Sequence, residues 1–295
     1  MKPLKPAALI ILLSALAFSS FTVNRSLSIA EGPDLKNMVF VPNGTFMMGL
    51  DSAGLQRDMQ RFNQPAAFFS QEFPAMRVTV RQFYIDKYDV TNAEFKKFIA
   101  ANPQWAKGQV PDSLQDGNYL KDWNGNKYPK GQGDFPVTYI SFYAANAYAR
   151  WVGKRLPMEA EWEFTAKGIA HNSITFPWGD SDTSPDKASF ANTSGGHTVK
   201  VGSFPPNNLG IYDMAGNVYQ FCLDSWRPDQ YAKMARFAKD RSFRPITPSK
   251  SNSVVIRGGS WNDPPEKLRT TYREGYPINK CTALVGFRCA ANAEK

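Results

Sequence analysis

The segment RGGSWNDPPEKLRTTYREGY, residues 257–276, concentrates the side chains best suited to chemistry in this 295-residue chain. It mixes acids with arginines, and a nearby guanidinium group tunes the pKa of a carboxyl group. A carboxylate in a cleft is suited to act as a general base that draws a proton from carbon or nitrogen during an oxidation. We predict five catalytic candidates: Asp263, Glu266, Glu274, Arg269 and Arg273. The alternative is that these arginines form structural ion pairs with the acids of the segment.

Aromatic rings accompany these charges. Trp261 and Tyr272 lie within the segment, and Tyr219 precedes it. Their faces are suited to stacking on an aromatic ligand, so we predict that they bind substrate, with core packing as the alternative. Histidine chemistry is nearly excluded, because the only histidines, His171 and His197, lie in polar, loop-like sequence.

Three helices are predicted to support this segment. Thr91 and Glu94 form a capping box at the start of TNAEFKKFIAAN. Ser141 caps a second helix that ends at Gly153, and MEAEWEFTAKG forms a third that ends at Gly168. The stretches MVFVPNGTFMMG and MRVTVRQFYIDKYDVT read as short strands, and long loops make up much of the remainder.

The N-terminus has the layout of a signal peptide over residues 1–30. Lysines precede a hydrophobic run from Ala7 to Val23, and small residues follow up to Ala30, after which we predict cleavage. An uncleaved membrane anchor is the alternative. Cleavage leaves residues 31–295 as a single domain in the periplasm, with no stable membrane insertion.

The charge pattern argues against nucleic-acid binding. Removing Lys2, Lys5 and Arg25 with the signal peptide lowers the formal net charge from +9 to +6. The remaining basic residues are scattered singly or in pairs, whereas nucleic-acid binding proteins usually cluster them. Three cysteines, Cys222, Cys281 and Cys289, allow at most one intramolecular disulfide, and the sequence does not choose between pairings.

Seven blocks in order resemble the formylglycine-generating enzyme (sulfatase-modifying factor) family. They are MVFVPNGTFMMG, YDVTNAEFKKFI, FPVTYISFYAANAYARWVGKRLPMEAEWEFTAKG, FPWGD, VGSFPPNNLGIYDMAGNVYQF, VIRGGSW and VGFRCA. The resemblance covers roughly residues 37–291 and implies an α+β fold related to C-type lectins, with long loops and little regular secondary structure. It also marks Ser260 of the RGGS element as part of the active-site segment, so we predict that Ser260 contacts substrate.

The copper chemistry of this family is not expected in this chain. The resemblance implies that true formylglycine generators hold copper with two cysteines shortly after RGGS, where soft thiolates suit Cu(I). Here Asp263 stands at the first of these positions, and the next cysteine is Cys281. A single hard carboxylate is a poor Cu(I) ligand, so we predict no copper and no sulfatase activation. The helix-opening threonine of the family is also replaced, by Met158, which predicts the loss of a helix cap.

Structural calcium is the cofactor that the resemblance implies. Asp213 and Gln220 match side-chain ligands, and Gly216 and Val218 match ligands that bind through their backbone carbonyls. Oxygen ligands from a tight loop are what Ca²⁺ prefers, although Gln220 replaces the usual glutamate of the family. The alternative is a turn held by hydrogen bonds alone. A second, truncated set consists of Asn192 and Thr193.

Two functions follow as hypotheses. The first is a monomeric periplasmic enzyme that oxidatively matures a small peptide-like metabolite or peptide. It resembles the copper-free branch of the family that matures siderophore chromophores of the pyoverdine type. The alternative is a non-catalytic protein of the same fold that binds a peptide or glycan, or acts in assembly.

Overall fold

Short strands separated by long loops build the computed structural model, which describes residues 34–168, 174–237 and 251–293. The strands are β1 (Met38–Val41), β2 (Gly44–Met48), β3 (Met76–Val80), β4 (Phe83–Asp86), β5 (Tyr219–Ser225), β6 (Ser253–Arg257), β7 (Arg273–Pro277), β8 (Val285–Gly286) and β9 (Ala290–Asn292). The helices are α1 (Ser52–Phe62), α2 (Asn92–Ala101), α3 (Phe142–Trp151), α4 (Glu159–Lys167) and α5 (Gln230–Phe237). This mixture of helices and strands confirms the α+β class.

The strands form three sheets, with the orders β1-β4-β9, β2-β3 and β7-β6-β5-β8. In the third sheet β6 pairs antiparallel with both β5 and β7, and its register places Arg257 opposite Gln220 and Arg273. Strand β8 adds to β5 in parallel. Because β6 enters the loop 258–272 and β7 leaves it, one sheet fixes both ends of the segment that we singled out.

Local signals place α2 and α3 as predicted. The Thr91 hydroxyl accepts from Glu94 N at 3.3 Å, and the Glu94 carboxylate accepts from Thr91 N at 2.8 Å, which completes the capping box. Ser141 caps α3 by accepting from Ala144 N at 3.3 Å. The apolar face of α2 is buried against α3 and the loop beyond it. These two helices form the wall of the larger core, next to the sheet that carries the active-site segment.

The start of α4 differs from the expected loss of a cap. The Met158 side chain makes no capping hydrogen bond, but Glu161 accepts from Met158 N at 2.8 Å. Asp224 of β5 accepts from Glu159 N at 2.6 Å. A carboxylate from a neighbouring strand thus satisfies the first helical N–H group, whereas a threonine at position 158 would have accepted from the N–H group of Ala160 or Glu161.

Asp224 gives the stability of the fold a testable pH dependence. Burial, with Glu159 as the next cause, raises the pKa of Asp224 from 3.8 to about 7. Between these values the folded state holds a proton that the unfolded state has lost, so this group lowers the free energy of unfolding as pH rises. The slope is at most about 1.4 kcal/mol per pH unit. We therefore expect Asp224→Asn, whose amide oxygen still accepts from Glu159 N, to gain stability relative to wild type as pH rises.

Denaturant unfolding of wild type and Asp224→Asn across this pH window measures the difference. Asp134→Asn is the matched control, because Asp134 is an exposed carboxylate with 65% of its side chain accessible. The control is expected to follow the wild-type slope. A difference between Asp224→Asn and wild type that stays constant with pH contradicts the expectation.

Two elements depart from the sequence prediction. Helix α1 lies in a stretch where we predicted no helix, and Asp51 caps it by accepting from Gly54 N at 2.7 Å. The expected strand MRVTVRQFYIDKYDVT is split into β3 and β4, which belong to different sheets. The predicted signal peptide and His171 lie outside the described residues.

The domain organisation, the helices and the cysteines bear on the remaining predictions. The described residues, 34–168, 174–237 and 251–293, belong to one compact unit. Within the described ranges, no helix is both long and apolar enough to cross a bilayer. All three cysteines are described, and Cys222, Cys281 and Cys289 are buried free thiols, so the structure shows none of the disulfides that the sequence left open.

Candidate active site

Two glycines turn the chain out of β6 into the active-site segment. Gly258 and Gly259 have φ angles of +100° and +72°, a backbone conformation that glycine adopts without strain. A Cβ atom on Gly259 would lie 3.0 Å from the Lys267 carbonyl oxygen, so the turn also needs a residue without a side chain. This turn brings the two halves of the loop 258–272 together and sets residues 260–263 beside Lys267.

Two acids, one lysine and two tyrosines meet at this point. Lys267 Nζ lies 3.2 Å from Asp263 Oδ1 and 3.3 Å from Glu274 Oε2, so it bridges both carboxylates. Tyr272 donates its hydroxyl to Glu274 Oε2 at 2.7 Å, and Tyr219 donates to the same oxygen at 3.3 Å. We call these five residues the carboxylate cluster. β5, the loop and β7 each contribute to it.

Exposure separates the two acids of the carboxylate cluster. The Glu274 side chain is 40% accessible, whereas that of Asp263 is 10% accessible. Asp263 is also held internally, because its Oδ2 accepts from Ser260 N at 3.1 Å and from the Ser260 hydroxyl. Glu274 is therefore the carboxylate of the cluster that a substrate can reach.

Nearby charges keep the lysine of the carboxylate cluster protonated, and burial together with nearby charges keeps its two tyrosines protonated. Burial lowers the pKa of Lys267, but the carboxylates of Asp263 and Glu274 outweigh it and raise that pKa. Burial, followed by nearby carboxylates, raises the pKa values of Tyr219 and Tyr272. Lys267 thus stays an ammonium group, and both phenols stay protonated donors. The arrangement holds a carboxylate ready to accept a proton beside a fixed positive charge.

The substrate-binding candidates differ in their access to solvent. Ser260 is fully buried, so its hydroxyl orients Asp263 instead of meeting a ligand. Trp261 is partly buried and donates Nε1–H to the Ala283 carbonyl at 3.2 Å. Tyr272 stacks on Phe68 with ring centroids 6.1 Å apart. Trp261 retains a partly open ring near the carboxylate cluster, and its role in substrate binding stays a prediction.

The arginines of the segment lie in the scaffold. Arg269 pairs with Glu72 through two hydrogen bonds of 2.7 and 2.6 Å, and its side chain is fully buried. Arg273 pairs with Glu159 at 2.6 and 2.9 Å and is also fully buried. Guanidinium groups enclosed in this way cannot touch a substrate. The structure therefore corrects their catalytic assignment to a structural one, and their partners are acids outside the segment.

Glu266 is not part of the carboxylate cluster. Its Oε1 accepts from Gln64 Nε2 at 3.1 Å, beyond the end of α1, and its backbone carbonyl accepts from Arg269 Nε at 2.7 Å. The carboxylate cluster contains Lys267, which we had not predicted, and does not contain Glu266, which we had predicted as a catalytic candidate. The sequence held a signal for the contact between Lys267 and Asp263, because Lys267 follows Asp263 by four residues. A short 3-10 helix, Pro265–Lys267, shapes the chain after Asp263 and brings the two side chains together.

Comparison with known proteins places this geometry in a family. Residues 25–293 match the family described as the sulfatase-modifying factor enzyme 1-like domain. The chain belongs to this family. Among solved structures, PvdO from Pseudomonas aeruginosa has a similar fold, with a TM-score of 0.66 and 28% sequence identity over 86% of this chain and 94% of PvdO. This similarity confirms the fold that the seven sequence blocks implied.

Proteins with similar sequences include a formylglycine-generating enzyme and a serine/threonine-protein kinase. The formylglycine-generating enzyme of Thermomonospora curvata is 30% identical over 308 residues, which cover 87% of this chain and 94% of that protein. The serine/threonine-protein kinase Pkn1 of Chlamydia trachomatis serovar L2 is 32% identical over 277 residues, which cover 90% of this chain. The chain spans only 40% of the length of that kinase. The shared part is thus the sulfatase-modifying factor domain alone.

A carboxylate occupies the position that the family resemblance assigns to the first copper thiolate. Asp263, at the position of the first thiolate, is held by Ser260 and Lys267, and so faces an ammonium group. Cys281, the next cysteine, is 1% exposed, and burial with the Asp116 charge raises the pKa of its thiol to about 12. A buried thiol with so high a pKa is a poor source of thiolate.

The first calcium set of the family does not fit a cation as the structure places it. The carbonyl oxygen of Gln220 accepts from Trp162 Nε1 at 2.7 Å and from Arg288 Nε at 2.8 Å, so its lone pairs are taken. Asp213 Oδ1 has no hydrogen-bond partner. Asp213 is also one of the residues that line a cavity of about 20 Å³, which is room for one water. Gly216 and Val218 are buried in the same turn.

The second calcium set lies on the surface beside the active-site segment. Asn192 donates its backbone N–H to the Trp261 carbonyl at 2.8 Å, and the Thr193 hydroxyl accepts from Phe190 N at 3.2 Å. Both residues are exposed. Across the described ranges, no group of three or more His, Cys, Asp and Glu side chains is arranged to hold a metal ion. Calcium at Asn192 and Thr193 stays a prediction.

Proposed function

We propose that this chain is an exported maturation enzyme that oxidises a peptide-derived secondary metabolite, and that it does not activate sulfatases. The observation that carries the proposal is the carboxylate cluster, which lies in the segment where the family resemblance puts copper thiolates. Carboxylates are poor ligands for Cu(I) and good proton acceptors. The accessible Glu274, supported by Lys267 and two phenols, supplies a general base in place of the metal.

The proposed reaction is a dehydrogenation. Two bonds to hydrogen on neighbouring atoms of the substrate break, either a C–H and an N–H bond or two C–H bonds, and a double bond forms between those atoms. Glu274 accepts one of the two protons, and the substrate is oxidised by two electrons. Dioxygen is the proposed acceptor: it takes both electrons and both protons lost by the substrate, one of them by way of Glu274, and becomes hydrogen peroxide. The Lys267 ammonium group lies beside the proposed base, where its positive charge would stabilise negative charge that develops on a bound substrate.

The substrate class rests on three supports. The sequence resembles the copper-free, siderophore-maturing branch of the family, and the fold similarity to PvdO agrees with it. The N-terminal pattern of residues 1–30 supports export to the periplasm. Trp261, whose ring is partly open, is suited to contact an aromatic chromophore precursor of the pyoverdine type.

Metabolite profiling of a deletion strain tests the proposal. Mass spectrometry of the exported siderophore fraction is expected to show a precursor that carries two more hydrogens than the mature product, and the intact gene is expected to restore maturation. Supplying purified protein and dioxygen to the accumulated precursor should yield product and hydrogen peroxide. An unchanged metabolite profile in the deletion strain overturns the proposal and favours the non-catalytic peptide- or glycan-binding alternative.

A further inference from the structure

A buried hydrogen-bond network closes the turn between Asp213 and Gln220. Besides Gln220 Oε1, the Arg288 guanidinium contacts the Tyr212 carbonyl at 2.7 Å and the Asp213 carbonyl at 3.3 Å. Gln220 Nε2 in turn donates to the Asp213 carbonyl at 2.7 Å. Arg288 and Gln220 are both fully buried, so bulk solvent does not compete for these bonds.

The orientation of the Gln220 amide follows from its neighbours. An indole N–H and a guanidinium N–H can only donate, so Trp162 and Arg288 require an acceptor, which is the amide oxygen of Gln220. The amide nitrogen must then face the Asp213 carbonyl, which can only accept. A reversed amide would set two donors against its NH₂ group and a carbonyl against its oxygen. The network therefore has one arrangement.

This orientation excludes a cation at the same place. Ca²⁺ needs oxygen lone pairs directed at it, but the side chain of Gln220 presents N–H bonds towards the turn. The Arg288 guanidinium also brings a positive charge to within 3.3 Å of the Asp213 carbonyl, and it lies 3.3 Å from Asp89 Oδ1. We infer that the amide of Gln220 and the guanidinium of Arg288 replace bound calcium in the Asp213–Gln220 turn, which makes this turn independent of metal.

The replacement has a specific chemical origin. A glutamate at position 220 would keep one oxygen for Trp162 and Arg288 and would turn its second oxygen towards the Asp213 carbonyl. Two facing acceptors repel each other unless a cation lies between them. Asp213 Oδ1, which is buried without a hydrogen-bond partner, would supply a further oxygen to such a cation. The inference therefore predicts that one substitution, Gln220→Glu, creates calcium dependence.

Thermal unfolding with calcium chloride or with EDTA tests the inference on the full chain. An Asn192→Ala background removes the surface set, so that any remaining effect reports on the Asp213 turn. In this background we expect the melting temperature to be the same in calcium and in EDTA. Adding Gln220→Glu to this background should lower the melting temperature in EDTA relative to Asn192→Ala alone. In calcium at about 100 times the dissociation constant, the double variant should melt about 5–10 °C higher than it does in EDTA.

Two outcomes overturn the inference. One is calcium-dependent stabilisation of Asn192→Ala with Gln220 intact, accompanied by one bound calcium per chain in elemental analysis. The other is a folded Gln220→Glu variant that remains indifferent to calcium, because the amide would then not be what excludes the ion. If Gln220→Glu does not fold, the Asn192→Ala measurement still decides, since it needs no change in the buried network.

Discussion

Replacing Glu274 with glutamine is expected to lower the turnover of the proposed oxidation by about 10²–10⁴-fold, the usual contribution of a positioned general base. The amide oxygen still accepts from Tyr272 and Tyr219, so the local geometry is retained, but it cannot take a proton from the substrate. Because binding contacts survive, kcat should fall while KM changes little. Stability should stay within about 0.5 kcal/mol of wild type, since the side chain is 40% accessible.

Glu266→Gln is the matched control for this experiment. Glu266 belongs to the same segment, but its carboxylate contacts Gln64 and lies outside the carboxylate cluster. The assay follows the precursor that accumulates in the deletion strain, converted by each purified variant. Wild-type turnover in Glu274→Gln, or an equal loss in Glu266→Gln, contradicts the assignment of Glu274 as the base.

Local sequence signals account for the parts of the fold that were predicted. The capping box at Thr91 and the cap at Ser141 depend on residues three positions apart, and both appear in the structure. Helix α1 was missed because its buried positions are Gly54 and Asp58, which give no apolar periodicity. Asp58 is buried because it contacts Arg269, a residue 211 positions away. No window of sequence contains such a contact.

The candidate site also combines contacts between residues close in sequence with contacts between distant residues. The link between Asp263 and Lys267 spans four residues and is visible in sequence. The partners of the arginines are not, because Glu72 and Glu159 lie 197 and 114 positions from Arg269 and Arg273. Sequence proximity suggested that the acids of the segment would neutralise its arginines. The arginines pair instead with Glu72 and Glu159, because a fully buried guanidinium group needs an equally buried acid.

Arg257 is expected to be the most costly of these arginines to replace. Its guanidinium is fully buried, contacts Glu159 at 3.2 Å and Glu163 at 2.5 Å, and donates to the Thr270 and Thr271 carbonyls at 2.7 and 3.0 Å. Arg257→Met removes the charge but keeps much of the side-chain volume. Breaking a buried ion pair costs about 3–5 kcal/mol, and we expect the melting temperature to fall by about 10 °C.

A pH series separates this electrostatic cost from a simple packing defect. Burial raises the pKa of Glu163, but Lys167 and Arg257 outweigh it and hold that pKa below its ordinary 4.5. A lowered pKa contributes stability that is present above 4.5 and is lost as pH falls through the folded value. Without Arg257, Glu163 is held down less and protonates at higher pH. The deficit of Arg257→Met should therefore be largest at neutral pH and shrink on acidification.

The control is Lys200→Met, which removes the positive partner of an exposed pair with Asp134 at 3.0 Å. Exposed pairs of this kind contribute about 0–1 kcal/mol, so its melting temperature should stay close to wild type. Denaturant unfolding of both variants from neutral pH to below pH 4 gives the comparison. A deficit in Arg257→Met that does not change with pH indicates lost packing alone, and contradicts the expectation that Arg257 stabilises the fold by neutralising the acids of α4.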